Sequence, residues 1–165
     1  MKKLQAILLL CLCAVLAVVV TLLHFEKMPY AWAYDPNEER CLPDLHLALL
    51  VKSAATIPAK GDLVFWEPSG SLKDIEQQYV LKRVAGIAGD RLTINGDSVL
   101  INRMVVANGF PLSGLYKHAS KDFQRNEVIP AGQVFVIGTH PLSNDSRYWG
   151  YLTTDAIKGT GYKIF

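Results

Sequence analysis

The chain has 165 residues, enough for one modest domain, and half of them are hydrophobic. A formal net charge of +2, with no basic stripe and no aromatic ladder, leaves no footprint of a nucleic-acid partner. The four histidines and three cysteines show no metal-ligand spacing, so no metal and no other cofactor is expected.

Met1-Lys2-Lys3 precedes an almost uninterrupted apolar run from Leu4 to Phe25. About 20 such residues cross a bilayer core as a helix, so residues 1–25 are expected to form a cytoplasmic start and a transmembrane anchor. The leading lysines keep that end cytoplasmic and export the remainder. Ala31-Trp32-Ala33 has the small-x-small form of a leader cleavage site. The apolar run is long for a leader, however, and Ala33 lies several residues past its end, so an uncleaved anchor is expected. Release after Ala33, giving a soluble exported binding protein, is the alternative. Cys11 and Cys13 lie within the run and lack the preceding small residue of a lipoprotein site, which leaves them lipid-facing or packing.

Residues 26–40 read as a polar, Pro-bearing connector, and residues 41–165 as a β domain. His46 to Lys52 is strand-like. Gly61-Asp62 opens Leu63 to Trp66, and Tyr79 to Ile87 is another apolar strand. Asn95-Gly96 separates two apolar runs within 91–102, a strong hairpin signal. Asn102-Arg103 resembles a second tight turn, with 103–106 continuing the meander. Gln133 to Ile137 follows a Pro-Ala-Gly turn, and Tyr162 to Phe165 closes the sheet. Helical periodicity is weak, so the expectation is a mostly β domain with coiled strands.

Two residues stand out chemically. Lys82 lies within the Tyr79 to Ile87 strand. A lysine on the buried side of a strand is costly to keep charged, and a neutral lysine is a general base near physiological pH. By pattern alone Lys82-Arg83 is more often a solvated face. Cys41 is the only cysteine in the exported part. An unpaired cysteine in an oxidising compartment is a liability unless it is buried or used.

In order along the chain, Gly61-Asp62-Leu-Val-Phe, Leu81-Lys82-Arg83-Val84-Ala-Gly-Ile-Ala-Gly89-Asp90, Pro130 to Gly138 and Ser143-Asn144-Asp145-Ser146-Arg147-Tyr148-Trp149-Gly150 resemble the type I signal peptidases. These are membrane-anchored Ser/Lys endopeptidases. The short length is similar to the conjugative-transfer branch, whose members mature plasmid pilins. The resemblance implies a coiled, open β-sheet or barrel resting on the membrane surface, in the periplasm of a bacterial inner membrane. It implies that Lys82 is the catalytic lysine, that Ser143 sits near its amine, and that Asp145 and Arg147 pair to support the lysine strand. Spacing alone would make Asp145 and Arg147 a surface pair of little value and Tyr148 and Trp149 core aromatics.

The family's nucleophilic serine lies just after the anchor, before the Gly-Asp strand and close to a proline. Arg40-Cys41-Leu42-Pro43 holds that place, so Cys41 stands where the family has serine. Pro68-Ser69-Gly70-Ser71-Leu72 looks like the serine signature of the housekeeping branch, but it follows the Gly61-Asp62 strand and is rejected on order. A thiol is the better nucleophile, and a basic neighbour raises its thiolate fraction. The Cys41 amide would be one oxyanion donor. Glu39 stands where the family has a Ser or Thr as second donor, and an ionised carboxylate cannot donate. The glycine that often follows the proline is replaced by Asp44-Leu45, and the loop before Ser143 reads Gly138-Thr-His-Pro-Leu. Cys41 as a small buried hydrophobe, Cys41 as the mark of an inactivated relative, and a Cys41/His140 dyad remain open. His24, His46 and His118 have no motif context.

The function expected from the resemblance is a membrane-anchored endopeptidase. Its partners would be the lipid bilayer and an exported, signal-peptide-bearing or pilin-like precursor. A thioester intermediate favours attack by an amine over water, so acyl transfer and cyclisation are expected beside hydrolysis. The alternative is an anchored assembly factor that kept the fold and lost the activity.

Overall fold

The computed structural model describes residues 2–25, 28–53 and 57–165. Met1 and Glu26-Lys27, which belong to the expected anchor and connector, lie outside the described residues. The chain forms two compact units, Met1–Tyr30 and Ala31–Phe165.

The first unit is dominated by helix α1 (Lys2–Phe25). Its side chains are described continuously only over 9–21, and all of those are exposed. Among the described residues no helix is long and apolar enough to cross a membrane. The expected transmembrane helix is therefore not shown among the described residues.

The second unit is built from strands, with β1 (Tyr30–Tyr34) starting at the boundary between the units. It continues through β2 (Leu47–Lys52), β3 (Leu63–Trp66), β4 (Val80–Ile87), β5 (Arg91–Asn95), β6 (Ser98–Ile101), β7 (Met104–Asn108), β8 (Arg125–Val128), β9 (Gln133–Ile137), β10 (Leu152–Thr153) and β11 (Gly159–Lys163). A one-turn helix, α2 (Ser146–Trp149), follows β9. One sheet has the order β1-β2-β11-β3-β4-β9-β10 and the other β7-β6-β5-β8. The end strands of each sheet do not pair with each other. The mostly β expectation therefore holds, and of the open sheet or barrel it is the open form that is observed, as two antiparallel sheets.

Local chemistry explains the meander. β6 and β7 are joined through Asn102 and Arg103, both at positive φ (49° and 71°), with Ile101 opposite Met104. Positive φ at both central residues suits the right-handed twist of the flanking strands. Three strands were not foreseen. β1 falls within the expected connector, where Tyr-Ala-Trp-Ala-Tyr alternates large and small residues. β8 (Arg-Asn-Glu-Val) is polar and mostly exposed, and β10 has two residues, so neither carries an apolar period.

Two-residue periodicity on β9 organises the core. Phe135 and Ile137 face the four-stranded sheet, packing in one cluster with Leu92, Ile94, Val99 and Ile101. Val134 and Val136 face the other way and pack with Val64, Trp66, Val80 and Val84. Gly86 of β4 lies where the sheets approach: a Cβ there would come within 2.6 Å of Ile129 Cδ1 and 2.9 Å of Ile101 Cδ1. A third cluster joins Leu42, Leu45, Ala48, Leu50, Leu63 and Phe65. It ties the segment after Cys41 to the start of the large sheet.

Candidate active site

Strand β4 alternates strictly, with Val80, Lys82, Val84 and Gly86 buried and the residues between them partly buried. Lys82 therefore shares a face with Val80 and Val84. It is 3% exposed and pairs across the strand with Val64 of β3. It makes no ion pair and no hydrogen bond among the described residues. The solvated-face reading of Lys82 is overturned, because the β period points it inward. Its neighbour Arg83 is half-buried instead, donating to the Gly61 carbonyl at 3.0 Å and lying 3.6 Å from Asp44.

Cys41 arrives from a different element. The turn that carries it is anchored by Leu42 (4% exposed) and Leu45 (6% exposed), with the Leu45 amide donating to the Leu42 carbonyl at 2.9 Å. Burying a leucine side chain contributes roughly 1.5–3 kcal/mol, so two of them hold the turn firmly to the sheet. The Cys41 thiol is free and partly buried. The Cys41 carbonyl accepts from the His140 amide at 3.1 Å, while its own amide makes no hydrogen bond among the described residues.

Cys41 and Lys82 line one cleft of about 780 Å³, together with Glu39, Arg40, Leu81 and Asn144. No hydrogen bond joins the thiol to the lysine amine among the described residues. Ser71 is exposed on a short 3-10 turn and does not line the cleft; its Oγ accepts from Tyr116 Oη at 3.5 Å. Glu39 is exposed at the rim. His140 approaches Cys41 only through backbone, and its ring Nδ1 accepts from the Leu142 amide at 3.2 Å.

The loop from Gly138 to Arg147 reaches the cleft at Asn144. Ser143 is fully buried and its Oγ has no hydrogen-bond partner among the described residues. Gly138 sits between it and the Cys41 turn: a Cβ there would come within 2.5 Å of the Cys41 carbonyl and 2.7 Å of Ser143 Cβ. Only glycine permits that approach.

Asp145 and Arg147, 0% and 1% exposed, form a bidentate pair with Nε–Oδ1 2.9 Å and Nη2–Oδ2 3.1 Å. The Gly138 amide donates to Asp145 Oδ2 at 3.1 Å. Arg147 also donates to the carbonyls of Asn108, Gly109, Pro141 and Ser143. The pair is thus the hub of the Gly138–Ser143 loop, where spacing alone suggested a surface pair. Its hold on the lysine strand is indirect, through β9, which pairs with β4. Beside it, burial pushes the Tyr148 phenol above its ordinary range, although its oxygen accepts from the Leu112 amide.

Three contributors had little or no sequence signal. Arg40 is buried beside Cys41 but reads as part of a charged run. Asn144 lines the cleft and accepts from Tyr116 Oη at 2.6 Å, a pairing across 28 residues. His46, without motif context, lies 3.0 Å from Arg40 through its ring. Among the described residues no group of His, Cys, Asp and Glu is arranged to hold a metal ion.

A two-sheet scaffold with a buried lysine and a thiol at one cleft defines a candidate hydrolase site, and comparison with known proteins agrees in class. Residues 3–165 match the family described as signal peptidase, peptidase S26. The chain is 32% identical to a signal peptidase I of Leptolyngbya laminosa over 136 residues, which is 76% of this chain and 64% of that protein. It is 33% identical to a signal peptidase I of Bacillus caldolyticus over 96 residues, 51% of each. The chain thus spans between half and two thirds of the length of these curated relatives. A crystal structure of a signal peptidase I from Enterococcus faecalis is similar over 66% of this chain and 98% of that one, at 24% identity and a TM-score of 0.41. The chain belongs to the signal peptidase family, peptidase S26.

Proposed function

We propose that this protein is a signal peptidase-like endopeptidase in which Cys41 is the nucleophile and Lys82 the general base. The observation that carries the reading is that these two residues, distant in sequence, line one cleft. The buried lysine has no carboxylate partner there, and Ser71 lies outside the lining.

The chemistry follows from the residues. The Cys41 thiol gives its proton to the Lys82 amine, and its sulfur attacks the scissile carbonyl. The oxyanion is met by the Cys41 amide, which is left without another partner. Collapse breaks the C–N bond, Lys82 returns the proton to the leaving amine, and a thioester remains. Water then releases a carboxylate. An amine can attack instead, and a thioester favours that route more than an oxygen ester does, so peptide transfer or cyclisation is part of the proposal. Ser143 and the Asp145–Arg147 hub keep the lysine and the Cys41 turn in register.

The substrate we propose is an exported precursor held at a bacterial membrane, with a conjugative pilin as the favoured class. The 26–40 segment and the apolar N-terminal stretch would keep the 41–165 domain at the periplasmic face of the inner membrane. Support for this placement comes from sequence, and from the exposed apolar side chains of α1 such as Leu10, Leu12 and Leu16. A second reading, an assembly factor without activity, is favoured by Glu39 beside the cleft and by the absence, among the described residues, of a thiol–amine hydrogen bond.

Precursor processing by Cys41→Ala, Cys41→Ser, Lys82→Ala and Ser71→Ala variants tests the assignment. Loss in Cys41→Ala and Lys82→Ala with Ser71→Ala active is expected. Full activity in Cys41→Ala refutes it.

A further inference from the structure

Arg40, the residue before the candidate nucleophile, is only 9% exposed although it is charged. Its Nη1 donates to the Pro43 carbonyl at 3.3 Å and lies 3.0 Å from His46 Nε2. A guanidinium has donors and no acceptor, so this contact is a hydrogen bond when His46 Nε2 carries no proton and accepts. Arg40 therefore bridges the near and far ends of the turn that holds Cys41. Its Nε is buried without a hydrogen-bond partner among the described residues, so the hydrogen bonds at Nη1 are what fix the side chain.

His46 is itself held. Its ring stacks on Phe165 at 6.3 Å and 20°, and the His46 and Leu47 amides donate to the Phe165 carbonyl at 2.8 and 2.9 Å. The other charged groups nearby do not bond the ring. Asp35 donates its amide to the His46 carbonyl, and Asp44 is shared by Arg83 and Lys163.

We propose that Arg40 is a positioning residue for Cys41, and that His46 is the acceptor that holds it in place. The Cys41 turn is locked while the imidazole is neutral. Protonation removes the acceptor and sets two cationic donors face to face, so Arg40 is released. The lock is therefore sensitive to protonation of the imidazole. The proposal rests on Cys41 as the reactive group, and its test includes a readout that needs no turnover.

The experiment uses the full chain in detergent with Cys11→Ser and Cys13→Ser, leaving Cys41 as its one thiol. Alkylation of Cys41 by iodoacetamide and the kcat and KM of precursor processing are measured from pH 5.5 to 8. His46→Gln keeps an acceptor for Arg40 and does not titrate. It is expected to match the parent at pH 8 and to lose about threefold less of both rates at pH 5.5. Arg40→Ala and His46→Leu are expected to lower kcat about tenfold at pH 8 with KM little changed, because a misplaced nucleophile loses rate before binding. They should also change the alkylation rate. Superimposable pH profiles for His46→Gln and the parent, or an Arg40→Ala variant unchanged in alkylation, overturn the proposal. If the parent processes nothing, the peptidase reading fails, and the alkylation profiles still decide the role of Arg40 and His46.

Discussion

Replacing Asp145 by alanine is the most severe single change the fold predicts. The carboxylate accepts four hydrogen bonds: from Arg147 Nε, Nη2 and backbone N, and from the Gly138 amide. Nothing solvates Arg147, which is 1% exposed. Removing one partner of a buried pair leaves an uncompensated charge and costs about 3–5 kcal/mol. For a chain of this size each kcal/mol moves Tm by roughly 2–4 °C, so a drop of roughly 6–20 °C is expected. Asp145→Ala combined with Arg147→Met should recover part of the loss, because the stranded charge is gone. Recovery is incomplete, since Asn108, Gly109, Pro141 and Ser143 lose their donor. Urea unfolding of the full chain in detergent, followed by tryptophan fluorescence, reads both effects. A cost below about 1 kcal/mol for Asp145→Ala, the value of an exposed pair, would refute the description of this pair as the hub of the loop.

Two further predictions separate stability from activity. Ser143→Ala removes a buried hydroxyl that has no hydrogen-bond partner among the described residues, so stability should hold or rise by about 1 kcal/mol. If Ser143 sits by the lysine amine as the family resemblance implies, processing should fall at least about tenfold; parallel loss of stability and activity would make its role structural. Asp90 sets an acid limit. Burial alone would raise its pKa, but hydrogen bonds from the Ile87 amide, Asn102 and Lys60, with the Lys60 charge, hold it below the ordinary 3.8. As pH falls the unfolded chain takes the proton first, so this stabilisation is present above the ordinary value and is lost as pH falls through the folded one. Unfolding measured from pH 2 to 7 should show that acid-side loss, and Asp90→Asn should flatten it.

The parts of this protein that were legible in sequence are those with a local period or a motif. The inward aim of Lys82 follows from the alternation of Val80, Lys82 and Val84, once the segment is known to be a strand with its other face half-covered. The Asn102-Arg103 turn is visible because few residue pairs tolerate two positive φ values. The burial of Asp145 and Arg147 was not legible from their i, i+2 spacing; it arises because carbonyls from Asn108 and Gly109, far away in sequence, converge on the guanidinium. Arg40 and His46 were silent for the same reason, since their contact depends on how the turn folds back. β8 and β10 were missed because edge strands with polar or very short sequences carry no apolar alternation. Of the expected open sheet or barrel the open form holds; the choice was not legible because closure depends on which strands sit at the ends of the sheets, and that is not written in any one strand.

The central claim is that Cys41 forms the covalent intermediate. The most direct measurement is an acid-quenched reaction of the full chain with precursor, read by intact mass and peptide mapping. The account predicts an acyl adduct on Cys41 that neutral hydroxylamine removes and that Cys41→Ala abolishes. An adduct on Ser71, or undiminished processing by Cys41→Ala, would contradict it.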